Sequence, residues 1–197
     1  MAVTKLTICN MALMRVGHDK LTQAQLTADA IRAAQLVNTH YDNCRDSLLR
    51  AHPWNFAVKR AALVDTGEAP EFEFAYAFSM PDDCLKILRT DSESEGINAE
   101  YRIENQNDVK VLVTDEGSCE IEYIAQITDV TLFDPQFVDI LAQRLAAEIC
   151  IGLTDNANMT QGLWDVYQSK LREARGVDAQ EGTPRGLDAD GWINSRV

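Results

Sequence analysis

The repeat of apolar residues changes period twice along this chain, and that change constrains the fold more than any single motif does. Over residues 4–16, Leu6, Met11, Leu13 and Met14 share a helical face, and Gly17 supplies a C-terminal stop. In residues 27–51, Ala30, Ala34, Val37, Tyr41, Cys44 and Leu48 recur at spacings of four and three, the stripe of a helix about 37 Å long. His52-Pro53 ends it, because the residue before a proline is pushed out of the helical region. Beyond Pro53 the period becomes two. Phe72, Phe74, Tyr76 and Phe78 alternate with Glu71, Glu73, Ala75 and Ala77, which predicts a strand over residues 71–78 with one buried face. Runs at 85–90, 99–103, 109–113 and 119–124 predict four shorter strands. Met80-Pro81-Asp82-Asp83, Glu95-Gly96 and the polar stretches 105–108 and 115–118 supply the turns between them.

Helical period returns at Asp134-Pro135, an N-cap followed by proline at the first helical position, with Phe137, Ile140, Leu141, Leu145 and Ile149 continuing to about Leu153. A last helix over 156–175 turns Leu163, Val166, Tyr167, Leu171 and Ala174 inward and stops at Gly176. Neither helical half buries its stripe alone. The expectation is therefore an α+β fold, mainly α: a four-helix bundle from both chain ends (residues 1–52 and 134–176), a small antiparallel β-sheet insertion of about five strands projecting from it, and an extended C-terminal tail. By segment, 1–63 holds the N-terminal helices and the first strand, 64–127 the β insertion, 128–176 the C-terminal helices and 177–197 the docking tail. The 197 residues suit one such elaborated domain.

Charge follows the same division. Residues 65–126 contain 16 acidic and 4 basic side chains, the rest of the chain 15 and 14, so nearly all of the formal −13 belongs to the β insertion. Specific nucleic-acid binding needs clustered Lys and Arg, which that insertion lacks. With no apolar run of eighteen residues and no signal-peptide pattern at residues 1–17, no membrane partner is expected, and cytoplasm is the expected place of synthesis and use. Cys9, Cys44, Cys84, Cys119 and Cys150 lie far apart with no Cys-x-x-Cys pair, so they are expected as buried free thiols, with no metal and no cofactor.

Catalytic signatures are missing as well. The sequence has no nucleophile elbow, phosphate-binding glycine loop, dinucleotide fingerprint or His-Glu-x-x-His. His18, His40 and His52 sit where capping or surface roles account for them. Asp82-Asp83 or Asp188 with Asp190 would serve a glycosidase only at a set separation inside a cleft, and a turn after a strand explains the first pair more simply. No catalytic residue is assigned. In the polar tail, Leu187, Trp192 and Ile193 stand out, because a tryptophan in such a segment gains most when a partner surface receives it.

These residues also carry a family likeness. The helix ending Arg15-Val16-Gly17, the stretch TADAIRAAQLVNTHYDNCRDSLLRAHPWNFAVKRAAL (27–63) and the stretch FAYAFSMPDDCLKIL (74–88) together resemble the tail tubular protein A family of short-tailed phages and prophages. GLDADGW (186–192) is similar to that family's terminus more loosely. The likeness is best over residues 4–90, and its specific parts are the junction His52 to Ala57 and the turn Met80 to Leu85. It implies a non-enzymatic adaptor of the head-to-tail connector, a dodecameric ring in the virion between the portal protein and the tail nozzle protein. Double-stranded DNA passes through such a ring without specific binding, and the C-terminal segments dock on the portal. The implied partner-binding residues here are Gly186, Leu187, Asp188, Asp190, Trp192, Ile193 and Arg196. An acidic channel lining would let the duplex slide, although the same acidity suits a solvated outer face. Trp54 and Phe56 would anchor the sheet to the bundle. Two other classes stand beside this one: a tail-associated polysaccharide or cell-envelope hydrolase, and a scaffolding module that leaves the particle.

Overall fold

A computed structural model describes residues 3–90 and 100–181. Its first helix, α1 (Lys5–Arg15), is capped by Thr4, whose hydroxyl accepts from the Thr7 amide at 3.1 Å. It closes at Gly17, which takes a φ of 75° and lets the His18 amide donate back to the Leu13 carbonyl at 2.9 Å. The helix expected over 27–51 is two helices, α2 (Gln23–Ala28) and α3 (Arg32–Ala51). Between them Asp29 is left-handed (φ 51°), and Asn38 braces the corner by donating to the Leu26 carbonyl and to Asp29 Oδ1, both at 2.9 Å. Ala30 consequently leaves the stripe and is exposed. After the strands come α4 (Pro135–Thr154), capped by Asp134, and α5 (Ala157–Asp178), capped by Asn156.

The four-helix bundle with a small projecting sheet is not what forms. Among the described residues there are five helices and two antiparallel sheets. Burial on α4 shows why the helices are not equals. Phe137, Ile140, Leu141, Leu145 and Ile149 make the expected stripe, but Val138, Ala142, Ala146, Ala147 and Cys150 are buried too, so α4 is enclosed on most sides. α1, α3 and α5 all pack on it, which makes it a hub. Its alanines let neighbouring helices approach on faces that a count of large apolar residues leaves unassigned.

The first sheet orders β1 (Val58–Ala62), β7 (Glu120–Ala125) and β4 (Cys84–Thr90) as β1-β7-β4. The second orders β2 (Val64–Asp65), β3 (Tyr76–Ser79), β6 (Val109–Thr114) and β5 (Tyr101–Gln106) as β2-β3-β6-β5. The chain crosses between sheets at Leu63, whose amide donates to the Cys119 carbonyl at 2.8 Å, again through the turn at 80–83, and again at 115–119. The strand expected over 71–78 contracts to Tyr76–Ser79, because Glu73 adopts a φ of 76° that breaks the extended run. Phe72 is left 76% exposed, and Phe74 falls on the opposite side of the sheet from Phe78. Phe74, Ala77, Val111 and Val113 form a small separate cluster, whereas Phe78 and Leu112 join the main core.

That main core is continuous from helices to sheets, so the sheets are built into the body. Leu141 and Leu145 of α4 belong to the same buried cluster as Ile121, Tyr123 and Ile124 of β7 and Ile87 of β4. Trp54 sits at the centre of the joint: its indole N–H donates to the Leu48 carbonyl at 3.0 Å, and its ring meets Phe137 edge-on at 5.3 Å, with Phe56 and Phe133 closing around Phe137. Polar ties reinforce the seam. Arg45, only 6% exposed, holds Asp42 and Asp46 at 2.7 Å each, and Gln126 just after β7 donates to the other Asp46 oxygen at 2.7 Å.

Candidate docking site

The seven tail residues singled out from the sequence, Gly186 through Arg196, lie outside the described residues. Their root lies within them. The stop expected at Gly176 does not occur, since α5 runs on to Asp178 and Val177 and Asp178 belong to the helix. Asp178 explains the extension. Its Oδ2 is hydrogen-bonded to His52 Nε2 at 2.9 Å, its Oδ1 accepts the Asn55 amide at 3.2 Å, and its carbonyl accepts Asn55 Nδ2 at 2.8 Å. One turn earlier Arg175 donates to the Ala51 carbonyl at 3.0 Å. These bonds clamp the C-terminal end of α5 onto the His52-Pro53-Trp54-Asn55 junction. Beyond the clamp, the amides of Ala179, Gln180 and Glu181 donate back to the carbonyls of Arg175, Val177 and Asp178, carrying ordered backbone to Glu181.

A groove runs from this point between the start of α4 and the last turns of α5. It consists of two adjoining hollows of about 270 and 370 Å³ that share Pro135, Gln136 and Ala174. Trp54, Val177 and Glu181 line the end near the clamp, and Ile140, Asp139, Lys170 and Glu173 line the far end. Asp139 is already committed: Arg15 donates to both its carboxylate and its carbonyl, and Lys170 reaches its other oxygen. Burial pushes this carboxyl up, but the bonds from Lys170 and Arg15 outweigh it and hold it below the ordinary 3.8. Asp134, Glu173 and Glu181 at the rim have no cation paired with them among the described residues.

The other candidate residues are occupied structurally. Asp83 accepts Lys59 Nζ at 2.7 Å and the Tyr123 hydroxyl at 3.0 Å, while its carbonyl accepts the Gln126 amide at 2.7 Å. Burial raises its carboxyl, and the two donors bring it below 3.8; Tyr123, buried and donating to an anion, is pushed up to about 12. All five cysteines are buried, and none is joined in a disulfide. Burial pushes Cys9 and Cys44 up to about 11, which keeps both as thiols at neutral pH. A hollow on the first sheet is crossed by ion pairs from Glu122 to Arg89 at 2.7 Å and to Arg60 at 3.5 Å. Among the described residues no three His, Cys, Asp or Glu side chains gather as a metal site, and no helix is long and apolar enough to cross a membrane. No family model matches the chain, and no curated protein matches it.

Reading by periodicity misses the clamp. His52 and Asn55 lie more than a hundred residues from Asp178 and share no repeat with it, so nothing in the pattern joins them. The one available signal was the unusual His52 to Ala57 junction itself.

Proposed function

We propose that this chain is a structural adaptor subunit of a phage head-to-tail connector, working in a homo-oligomeric ring that joins the portal protein to the tail nozzle protein. Residues 182–197 supply the portal-binding segment, with Gly186, Leu187, Asp188, Asp190, Trp192, Ile193 and Arg196 as its contacts. The observation that carries the reading is where the two most family-like stretches fall. His52 to Ala57 forms the joint that packs under the hub helix and clamps the root of the tail. Met80 to Leu85 forms the turn between the two sheets, tied through Asp83 to β1 and β7. Distinctive residues spent on fixing how helices, sheets and tail are mutually oriented suit a part that must present one rigid surface to its neighbours. The acid-rich sheets suit a duplex that slides past without being held.

Mixing the purified chain with the portal protein of the same phage tests this. The chain alone is expected to run as a monomer and, with portal, to co-migrate as a ring visible by electron microscopy. Trp192→Ala should weaken binding at least tenfold, because one tryptophan removes about 150–250 Å² from water on docking. A chain that stays monomeric and unbound beside the intact portal ring would overturn the assignment.

A further inference from the structure

We propose that the groove between α4 and α5 receives the α2–α3 corner of a second copy of this chain, with Ile31 seated between the groove's apolar lips and Arg32 paired to Glu173. The inference names two faces that meet in the ring, and it rests on the ring part of the reading above.

The groove calls for a cation beside an apolar group. Pro135 and Val177, the latter 38% exposed, form its apolar lips. Asp134, Glu173 and Glu181 stand along it with no cation paired to them among the described residues, and Lys170 is already committed to Asp139. An occupant that covered these carboxylates without a positive charge would bury them unpaired, which is costly.

The chain carries the complement elsewhere. Among the described residues, an exposed large aliphatic side chain adjoins a cation without a carboxylate partner at two places, Ile31-Arg32 and Val109-Lys110. The second is the poorer match, because Asp108 adjoins it and Lys110 Nζ is held on the Cys84 carbonyl at 3.5 Å. At the corner, Ile31 is 39% exposed and Arg32 is exposed, while the nearby Asp29 carboxylate is taken by Asn38 at 2.9 Å.

Geometry makes the contact one between molecules. Trp54, just after α3, meets Phe137 at the start of α4, and Leu36, one turn into α3, lies 3.0 Å from where a Cβ on Gly152 would stand near the end of α4. α3 therefore runs antiparallel to α4, and the corner lies about 25 Å from the groove at 1.5 Å per helical residue. A match between unlike faces at opposite ends joins copies head to tail, the kind of contact that closes a ring. It is also small. Hollows of about 270 and 370 Å³ take side chains and not a whole element, so the contact falls short of the roughly 1,000 Å² of a stable interface and suits a chain that assembles only on a template.

Cross-linking of full-length chains tests the contact. Ala30→Cys and Gly176→Cys place thiols at exposed positions beside the two faces and leave Arg32 and Glu173 intact, and the native cysteines are buried. With a short bismaleimide at high protein concentration, the two single variants mixed should give a dimer, and each alone should give none. A chain carrying both cysteines should give a ladder. Adding Glu173→Lys to the Gly176→Cys chain, or Arg32→Glu to the Ala30→Cys chain, should abolish the mixed dimer, and both changes together should restore it. Ile31→Ser should reduce it about tenfold, the loss expected for an aliphatic side chain buried on binding. No mixed dimer, as much dimer from either single variant alone, or a dimer indifferent to the charge exchange would each overturn the proposal. Portal binding is scored separately. A mixed dimer in a chain without portal affinity refutes the adaptor assignment alone, and portal-bound chains without the mixed dimer refute this interface alone.

Discussion

Helix α4 and strand β6 are both central and both buried on two sides, yet they are enclosed by different materials. Around α4 stand α1, α3 and α5, and most of its buried residues belong to the main core that runs from helices to sheets. β6 divides its allegiance: Leu112 faces that core, while Val111 and Val113 face the outer cluster, closed over by Phe74 with the Arg102 guanidinium 5.6 Å from the ring centroid. One wall is three helices deep and the other is a loop and a cation. Opening the first requires most of the fold to come apart, whereas the second opens locally at lower cost.

The largest expected effect is therefore in the hub. Leu145→Ala empties a fully buried site between helices and should cost about 2–5 kcal/mol by urea denaturation, and Leu48→Ala on the facing α3 should cost a similar amount. Losses under about half a kilocalorie would mean that α4 is not the hub. Next comes the thin wall. Phe74→Ala should cost about 2 kcal/mol, below the usual range for a core phenylalanine because so little encloses it. Its signature should be local: amide exchange in β3 and β6 should rise well before that in α4. Equal acceleration in both would erase the contrast.

The same contrast explains what the sequence made legible. Helices that carry one stripe and end at strong signals, such as α1 at Gly17 and α4 at Asp134-Pro135, are read directly, because capping and period act over a few residues. Burial of α4 on most sides is not, since alanines count for little in a pattern of large apolar residues. Strands fail where the backbone departs from extended geometry. The alternation through residues 71–78 is regular in the sequence, but Glu73 at a φ of 76° reverses which face Phe74 takes. At the candidate site, Trp54 and Phe56 were legible as a core joint, whereas the clamp from Asp178 to His52 and Asn55 is a long-range pairing that no local rule encodes.

The Lys59–Asp83–Tyr123 cluster ties the sheet turn to β1 and β7 and should show a smaller effect that depends on pH. Asp83→Asn keeps the shape but removes the charge that Lys59 and Tyr123 satisfy, and should cost about 1 kcal/mol at neutral pH. Because the folded carboxyl lies below 3.8, its contribution is present above that value and disappears as pH falls through the lower folded one. Wild type and variant should accordingly converge in urea titrations below pH 3.8. Tyr123 works in the opposite sense: its folded value near 12 means stability present below the ordinary 10 and lost as pH rises toward 12. A gap that persists unchanged to the lowest pH at which the chain folds would show that the Asp83 charge contributes nothing.

The smallest expected effect sharpens the comparison most, because it concerns two residues that the sequence pattern treats as identical. Phe72 and Phe74 are two apart in one alternating run, and a strand reading puts both rings on the same buried face. Glu73 separates them: Phe74 is 8% exposed inside the outer cluster, while Phe72 is 76% exposed. Phe72→Ser removes a ring that folding leaves mostly in water, so its stability should stay within about half a kilocalorie of wild type, against about 2 kcal/mol for Phe74→Ala. A third variant, Glu73→Gly, relaxes the left-handed residue between them and should leave stability unchanged or raise it slightly, since glycine takes that φ without steric penalty. The Arg102–Glu73 pair at 2.8 Å is lost in that variant, but with both side chains more than 40% exposed the loss weighs little. If Phe72→Ser instead costs as much as Phe74→Ala, the two rings share a buried face, the run 71–78 is a continuous strand, and the outer wall of the second sheet is thicker than described.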